Sequence, residues 1–540
     1  MPFIAILSLS LSIPFKKRGT QNLFKRFNFS FVISIIIFVK ENIRSNVIVN
    51  LIRTFVLTLL SFITFPWVCR YLGDSVLGTY SWAVTFVAYF LILAKIGIPN
   101  LAIRECVKVR ENKELLSNKA QAFFILQLIA TILSFILMCV VLFSVPSLRE
   151  ERTSSLIFIL SLNFLSGAFS FEWIFIALEK QFYMSIRSII VLAISAVLII
   201  TFVTTESDVY IYAFISISVT ILTSIINLYY VRQHISFKKT LPYDFKQYAK
   251  PLLVLCSVSL LLSFYNQTDT LLLGFINEEK DAVGSYSVGI KGIDIVIGVL
   301  TNLSTVFVPR SAYYYGKEDK RFFNNLTKYS FNICLFITLP AIIFMMAMAK
   351  PICGLISGSY DFNSYSDSFW VLFILSSMML TYSLAEMIYG QILLPMKKEK
   401  HYLYAILSGV ILNIVFSLIL GGLVFKNNPA IGVAIGTVIT DILIFIYLIS
   451  VTWKWVYKAL FNKNTLKLIF ATIIVLVSSI GIHYLLTQSI LPNFNLSSSS
   501  NMLIELITIF VIDMVIYIGI LLLLKEDLVY SFIRKSPKPI

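Results

Sequence analysis

Ten ionisable side chains stand inside otherwise apolar runs of this sequence: Arg53, Lys95, Glu172, Asp269, Lys291, Asp294, Glu386, Asp441, Glu505 and Asp513. In hydrocarbon such a group costs at least a few kcal/mol, so it faces a cavity, pairs with another group or carries function. The cations Arg53, Lys95 and Lys291 are the kind of long donors that hold an oxygen-rich anion. The carboxylates Asp269, Asp294 and Glu386 are the kind of group that binds H+ or Na+. Each has a plainer reading. Lys95 lies near a helix end and can snorkel to the interface. Lys291 and Asp294 are three apart on one helical face and can neutralise each other. Glu505 and Asp513 lie where packing explains them as well as function does. Arg53, with no carboxylate near it in sequence, is the best candidate for holding substrate.

What surrounds these residues is a chain of 540 residues, 58% hydrophobic and 13% charged, with a mean hydropathy of +0.86. Soluble domains are roughly 45–50% apolar and about 25% charged, so the solvent here is a bilayer. No polar stretch is long enough to house a soluble catalytic domain. The six cysteines form no CxxC pair and the three histidines are scattered, which leaves a disulfide scaffold, a zinc site and a redox motif unsupported. There is no GxxxxGK[ST] phosphate loop. An enzyme is therefore not expected, and neither is a cofactor.

Apolar windows of about 20 residues predict fourteen helical spans, the first near 45–69 and the last near 501–525. Alternate connections carry 28 and 6 Lys+Arg residues, with Arg187 counted among the 28 as a connection residue at the start of the fifth span. By the positive-inside rule both termini are cytoplasmic. The net charge of +16 is thus mainly topology, and no nucleic-acid partner is expected. Residues 1–44 fit neither a span nor a signal peptide; they are expected to be a peripheral extension or a mis-assigned start.

A repeat runs through the spans. Gly78-Thr79-Tyr80-Ser81 and Gly284-Ser285-Tyr286-Ser287 are 206 residues apart, and so are Arg104 and Arg310. Six spans separate the copies, so both enter the membrane in the same direction, and the expected symmetry is a pseudo-twofold along the membrane normal. The predicted fold is an all-α integral membrane protein of about 14 transmembrane helices, with two six-helix lobes plus a C-terminal helix pair. The expected organisation is an N-lobe over 45–231, a cytoplasmic linker over 232–246, a C-lobe over 247–453, and the last two helices with a cytoplasmic tail over 454–540. Equivalence of the copies makes the first, second, seventh and eighth helices the walls of a basic cleft suited to a diphosphate, with Arg104 and Arg310 at its cytoplasmic mouth as substrate contacts or topology anchors.

The segments Ser61-Phe62-Ile63-Thr64-Phe65-Pro66-Trp67-Val68, Arg70-Tyr71-Leu72-Gly73, Leu77-Gly78-Thr79-Tyr80-Ser81 and Gly97-Ile98-Pro99 with Arg104-Glu105 resemble the amino-terminal signature of Wzx-type polysaccharide repeat-unit flippases. The second half agrees through Leu303-Ser304-Thr305-Val306, Pro309-Arg310 and Leu393-Leu394-Pro395-Met396-Lys397-Lys398-Glu399-Lys400. This resemblance, over about residues 45–453, is to the polysaccharide branch of the multidrug/oligosaccharidyl-lipid/polysaccharide exporter superfamily. It implies a bacterial inner-membrane flippase, not driven by ATP, that moves an undecaprenyl-diphosphate-linked oligosaccharide by alternating access for O-antigen, capsule or a similar polymer. The buried-charge reading makes Arg53, Lys95, Lys291, Arg104 and Arg310 the expected substrate contacts for such a cargo, and Asp269, Asp294 and Glu386 the expected ion-coupling residues. Membrane lipid, H+ or Na+, a polysaccharide polymerase and a chain-length regulator are the implied partners. The rival readings are a multidrug exporter of the same superfamily, which would want an acidic, aromatic lumen for cations, and a multispan polysaccharide polymerase, which would want a large outward catalytic loop.

Overall fold

A computed structural model describes residues 43–238, 242–243, 245–358, 365–490 and 498–534. Most of the expected extension over 1–44 lies outside the described residues. Within them all the regular structure is helical, as lipid requires, because a helix satisfies its backbone polar groups internally. In chain order the helices are α1 (Ile43–Lys95), α2 (Ile98–Val107), α3 (Lys113–Ser144), α4 (Glu151–Ser161), α5 (Asn163–Phe169), α6 (Glu172–Ala177), α7 (Gln181–Phe202) and α8 (Val209–Val231). They continue as α9 (Lys246–Ile276), α10 (Asp281–Gly316), α11 (Lys320–Ala347), α12 (Ala349–Ser357), α13 (Ser368–Ser376) and α14 (Met378–Ile388). The last are α15 (Glu399–Phe416), α16 (Pro429–Leu460), α17 (Lys463–Leu485), α18 (Ser498–Leu523) and α19 (Asp527–Arg534).

Twelve helical stretches are long and apolar enough to cross a membrane, and the pair α13 and α14, bent by 41°, makes a thirteenth. The first stretch, Arg53–Val107, has 55 residues, which at about 1.5 Å per residue is well over twice the hydrocarbon thickness. Gly73 breaks it with φ 71° and ψ 172°, a conformation open to glycine. The stretch is thus long enough to supply two of the fourteen expected spans.

Among the described residues the chain divides into two compact units, one of residues 43–68 and 87–260, the other of residues 69–86 and 261–534. All three passages between the units fall inside helices, two within α1 and one within α9. The first unit has a core of Ile98, Leu101, Phe123, Phe171, Trp173 and Phe175. It also holds the start of the connection between α8 and α9. Gln121 of α3 donates to the carbonyls of Ser236 and Lys238 and accepts from Tyr243 Oη at 2.6 Å, while Ser117 Oγ accepts from Ser236 N. Asn112 caps α3 by accepting from Glu114 N and Leu115 N, the usual role of an N-terminal asparagine.

The second unit is built around Leu326, Phe331, Ile388, Leu448, Leu468 and Tyr517. Residues 69–86 pack into it through the repeated glycines. A Cβ on Gly78 would meet the Lys280 carbonyl oxygen at 1.8 Å, and one on Gly284 would meet the Asp74 carbonyl oxygen at 2.1 Å. Asp74 and Lys280 are themselves 206 apart, so each copy of the repeat seats its glycine on the same carbonyl of the other. Ser75 Oγ donates to Glu279 O at 2.6 Å, Trp82 Nε1 to Leu271 O at 3.0 Å, and Tyr365 Oη to Cys69 O at 2.9 Å.

Candidate functional site

The fourth span is broken. α5 ends at Phe169, Phe171 takes φ 48°, and α6 restarts at Glu172. The break frees the Ser170 carbonyl, which accepts from Asn227 Nδ2 of α8, and it brings the Glu172 carboxylate to α7. There Arg187 Nη2 donates to Glu172 Oε1 at 2.6 Å and to Ser188 Oγ at 3.3 Å, and Nη1 donates to Asn227 Oδ1. Tyr183, one turn back, donates to the same Asn227 oxygen at 3.1 Å. Arg187 is not the connection charge that hydropathy windows make of it. It is the seventh residue of α7 and only 5% exposed, because Glu172 and Asn227 draw it inward.

Arg53 of α1 lies half-buried in the same unit, and its charged neighbours are Glu172 and Arg187. Among the described residues it makes no hydrogen bond or ion pair. The cluster thus holds two guanidinium groups and one carboxylate, an excess of one positive charge. Lys95, the last residue of α1, is exposed, and so is Arg104 of α2, whose Nε stands 3.6 Å from Glu105. In the second unit Lys291 is half-buried on α10, Asp294 follows three residues on, and Arg310 is exposed near the far end of that helix. Lys291 is the charge that acts on Asp294.

Three acids of the second unit, Asp269, Asp441 and Glu386, are each held by hydroxyl groups. Asp269 of α9 is buried and fully engaged: Oδ2 accepts from Tyr286 Oη at 2.5 Å and Thr437 Oγ1 at 2.9 Å, and Oδ1 from Asn413 Nδ2 at 2.9 Å. Asp441, one helical turn beyond Thr437 on α16, accepts from Tyr265 Oη, and Glu386 Oε1 accepts from Tyr402 Oη at 2.5 Å. Tyr265, Tyr382, Glu386, Tyr402 and Asp441 line one small cavity. Three buried oxygens here have no partner among the described residues: Asn413 Oδ1, Ser417 Oγ and Asp441 Oδ2. Two widened π turns lie beside them, at Tyr389–Leu393 after Glu386 and at Ser417–Val424 after Asn413. Such turns gather at functional sites.

Near the chain's end, Asp513 accepts from Ser478 Oγ at 3.0 Å and from Ser479 Oγ, and Glu505 pairs with His483. These bonds join α17 to α18 and account for both acids by packing. Sequence reasoning missed Arg187, Asn227 and the tyrosines that hold the acids. The four-residue spacing of Tyr183 and Arg187 puts both on one face of a helix, but nothing in the sequence says which way that face points.

A break in a membrane helix beside a cationic cluster, together with a second unit of hydroxyl-bound acids, marks candidate functional sites in a membrane protein of many spans. The polysaccharide biosynthesis protein family matches residues 43–315 and the MatE family matches residues 255–419. The chain belongs to the polysaccharide biosynthesis family, within the multidrug/oligosaccharidyl-lipid/polysaccharide exporter superfamily. No curated protein matches it significantly. Among solved structures it is similar to the lipid II flippase MurJ in an inward closed conformation, with 18% identity, a TM-score of 0.65, and coverage of 88% of this chain and 99% of that one. A superfamily transporter from Pyrococcus furiosus, described as having a binding pocket of reverse polarity, is 16% identical with a TM-score of 0.54, over 77% of this chain and 95% of that one. An outward-facing multidrug resistance MATE transporter is 18% identical with a TM-score of 0.51, over 75% and 95%. The fold is that of the MurJ and MATE transporters, and the chain is a multi-pass membrane protein.

Proposed function

We propose that this chain is a flippase that carries diphosphate-linked, undecaprenyl-anchored oligosaccharide across the bacterial inner membrane for a surface polysaccharide. The observation that carries the reading is the excess positive charge of the first unit, at half-buried Arg53 and buried Arg187, on top of membership in the polysaccharide biosynthesis family. An anionic headgroup offsets that charge; a cationic drug does not. Lys95, Arg104, Lys291 and Arg310 serve as further contacts along the headgroup's path. The two repeats act as lobes that alternate access, and both termini are cytoplasmic, with the polymerase and chain-length regulator of the same polymer as partners. Thiols introduced near Asp208 and Ser498 should label from outside the cell, and thiols near Lys113 and Lys463 should not; the reverse pattern at either pair would break the topology.

Membrane potential can supply the driving force. A headgroup of ~2 negative charges moved outward across ~100 mV gains roughly 4–5 kcal/mol. Asp269 is the best-supported coupling residue, since Asn413, which donates to it, carries an unpartnered buried oxygen on the same side chain. The carboxylate and amide oxygens together suit H+ or Na+. Asp294 and Glu386 are the weaker candidates, being less enclosed.

In proteoliposomes holding labelled lipid-linked oligosaccharide, an inside-negative potassium-diffusion potential should speed headgroup exposure without nucleotide. Asp269→Asn should slow it severalfold or more under a proton or sodium gradient. A rate that ignores potential and both ion gradients, and requires ATP, would end this reading. One observation favours a second reading, export of organic cations: the cavity of the second unit is acidic and tyrosine-lined, and aromatic faces attract cations. Uptake of a fluorescent organic cation by the same vesicles, with no headgroup exposure, would establish that reading instead.

A further inference from the structure

The fork of Arg187 is half used. Its Nη1 is committed to Asn227, and its Nη2 donates to one oxygen of Glu172. The adjoining Nε is buried and has no partner among the described residues. Nε and Nη2 form one edge of the guanidinium, the edge that grips a phosphate or carboxylate with two parallel bonds. Glu172 takes only half of that edge and is the exposed partner. Its side chain is 44% exposed where that of Arg187 is 3%, and it stands at the start of a six-residue helix behind the break at Ser170 and Phe171. Arg53, the second cation to act on Glu172, brings no bonded partner of its own among the described residues. Arg187 is the fixed, enclosed part of the cluster, and the Glu172 carboxylate is an accessible part.

We propose that Glu172 is a resident stand-in for the cargo: its carboxylate occupies a phosphate-binding site formed by Arg187 and Arg53, and a phosphate or diphosphate group displaces it on loading. The identity of the cargo as a lipid-linked diphosphate rests on the flippase reading; the anion site itself rests on the geometry. Asn227 keeps Arg187 in place when Glu172 leaves, through Nη1 on one side and the Ser170 carbonyl on the other. The entering group takes both Nη2 and Nε where the carboxylate took one, and it meets Arg53 as well. In the unloaded protein the carboxylate lowers the local charge from two to one, which keeps the empty site tolerable in the membrane.

Inorganic pyrophosphate binding to the full chain in nanodiscs tests the site. Glu172→Gln removes the competing charge, keeps the side-chain shape, and should tighten binding by about tenfold or more. Adding Arg187→Lys preserves the charge but removes the two-donor edge, and it should erase the gain. Unchanged or weaker binding by Glu172→Gln would overturn the proposal, as would a double variant that keeps the full gain. A lowered melting temperature of Glu172→Gln without tighter binding would likewise make Glu172 a strut for Arg187 and nothing more. Farnesyl diphosphate separates the two readings. If pyrophosphate binding tightens as expected and farnesyl diphosphate does not bind, the anion site stands and the lipid-linked cargo falls.

Discussion

Arg53→Ala should abolish surface polysaccharide while leaving the amount of inserted protein unchanged. The two halves of that expectation come from the same facts. Arg53 makes no hydrogen bond or ion pair among the described residues, so its removal strands no buried donor or acceptor, and folding has little to lose. What remains is Arg187 paired with Glu172, a neutral couple in place of a net cation. Each charge-assisted bond to a diphosphate is worth about 1.5–3 kcal/mol, so losing two weakens cargo binding by about a hundredfold or more. Arg53→Lys keeps the charge without the planar fork and should retain part of the activity. Polymer yield on immunoblots, read beside protein level in the same membranes, checks both variants. Wild-type yield from Arg53→Ala would remove Arg53 from the cargo path.

Gly78→Leu and Gly284→Val should each prevent the protein from accumulating, or lower its melting temperature by several degrees. At both glycines the obstacle is backbone, a carbonyl oxygen within 2.1 Å of where a Cβ would stand. A side-chain clash can relax by rotamer change; this one requires two helices to part. Parting them also costs the Ser75 bond to Glu279 and the Trp82 bond to Leu271. Gly519→Ala is the control, because a Cβ there meets nothing within 4 Å and alanine favours a helix over glycine. Fluorescence size-exclusion profiles and melting curves in detergent would compare the three. A Gly78→Leu variant that melts with the wild type would contradict the close seat of the two repeat copies.

The fold was legible in the sequence because a membrane protein's charges do two separate jobs. Lys and Arg between spans report topology by number alone, and a fourteen-span alternation needs no knowledge of packing. The glycine repeat was legible for a similar reason: a residue required by close backbone approach leaves a fixed mark, and Gly78 and Gly284 each meet the carbonyl their 206-residue spacing implies. The site was less legible. Arg187 has an arginine's hydropathy whether it lies in water or points inward, and only the break at Ser170 and Phe171, with Asn227 from another helix, decides which. The break itself has no sequence mark; Phe171 takes a left-handed conformation that glycine would have advertised. Asp269 was recognisable as an acid at bilayer depth, while its partners Tyr286, Asn413 and Thr437 come from three other helices and share no pattern along the chain.

The passage of the chain between units inside helices bears on the order in which the protein can be completed. Residues 69–86 emerge from the ribosome early, yet Ser75 finds its acceptor 204 residues later in sequence, Trp82 finds its own 189 residues later, and Asp74 receives the Tyr365 amide 291 residues later. Contacts so distant along the chain are slow to form. The nascent protein must therefore carry this stretch through the membrane with its packing unfinished until α9, α10 and the chain beyond Tyr365 have been inserted. A gene split within the 232–246 connection would yield two polypeptides that each hold a piece of the other's unit, residues 69–86 on one and 247–260 on the other. Neither fragment could be finished alone, and the pair could assemble only by exchanging those pieces within the bilayer.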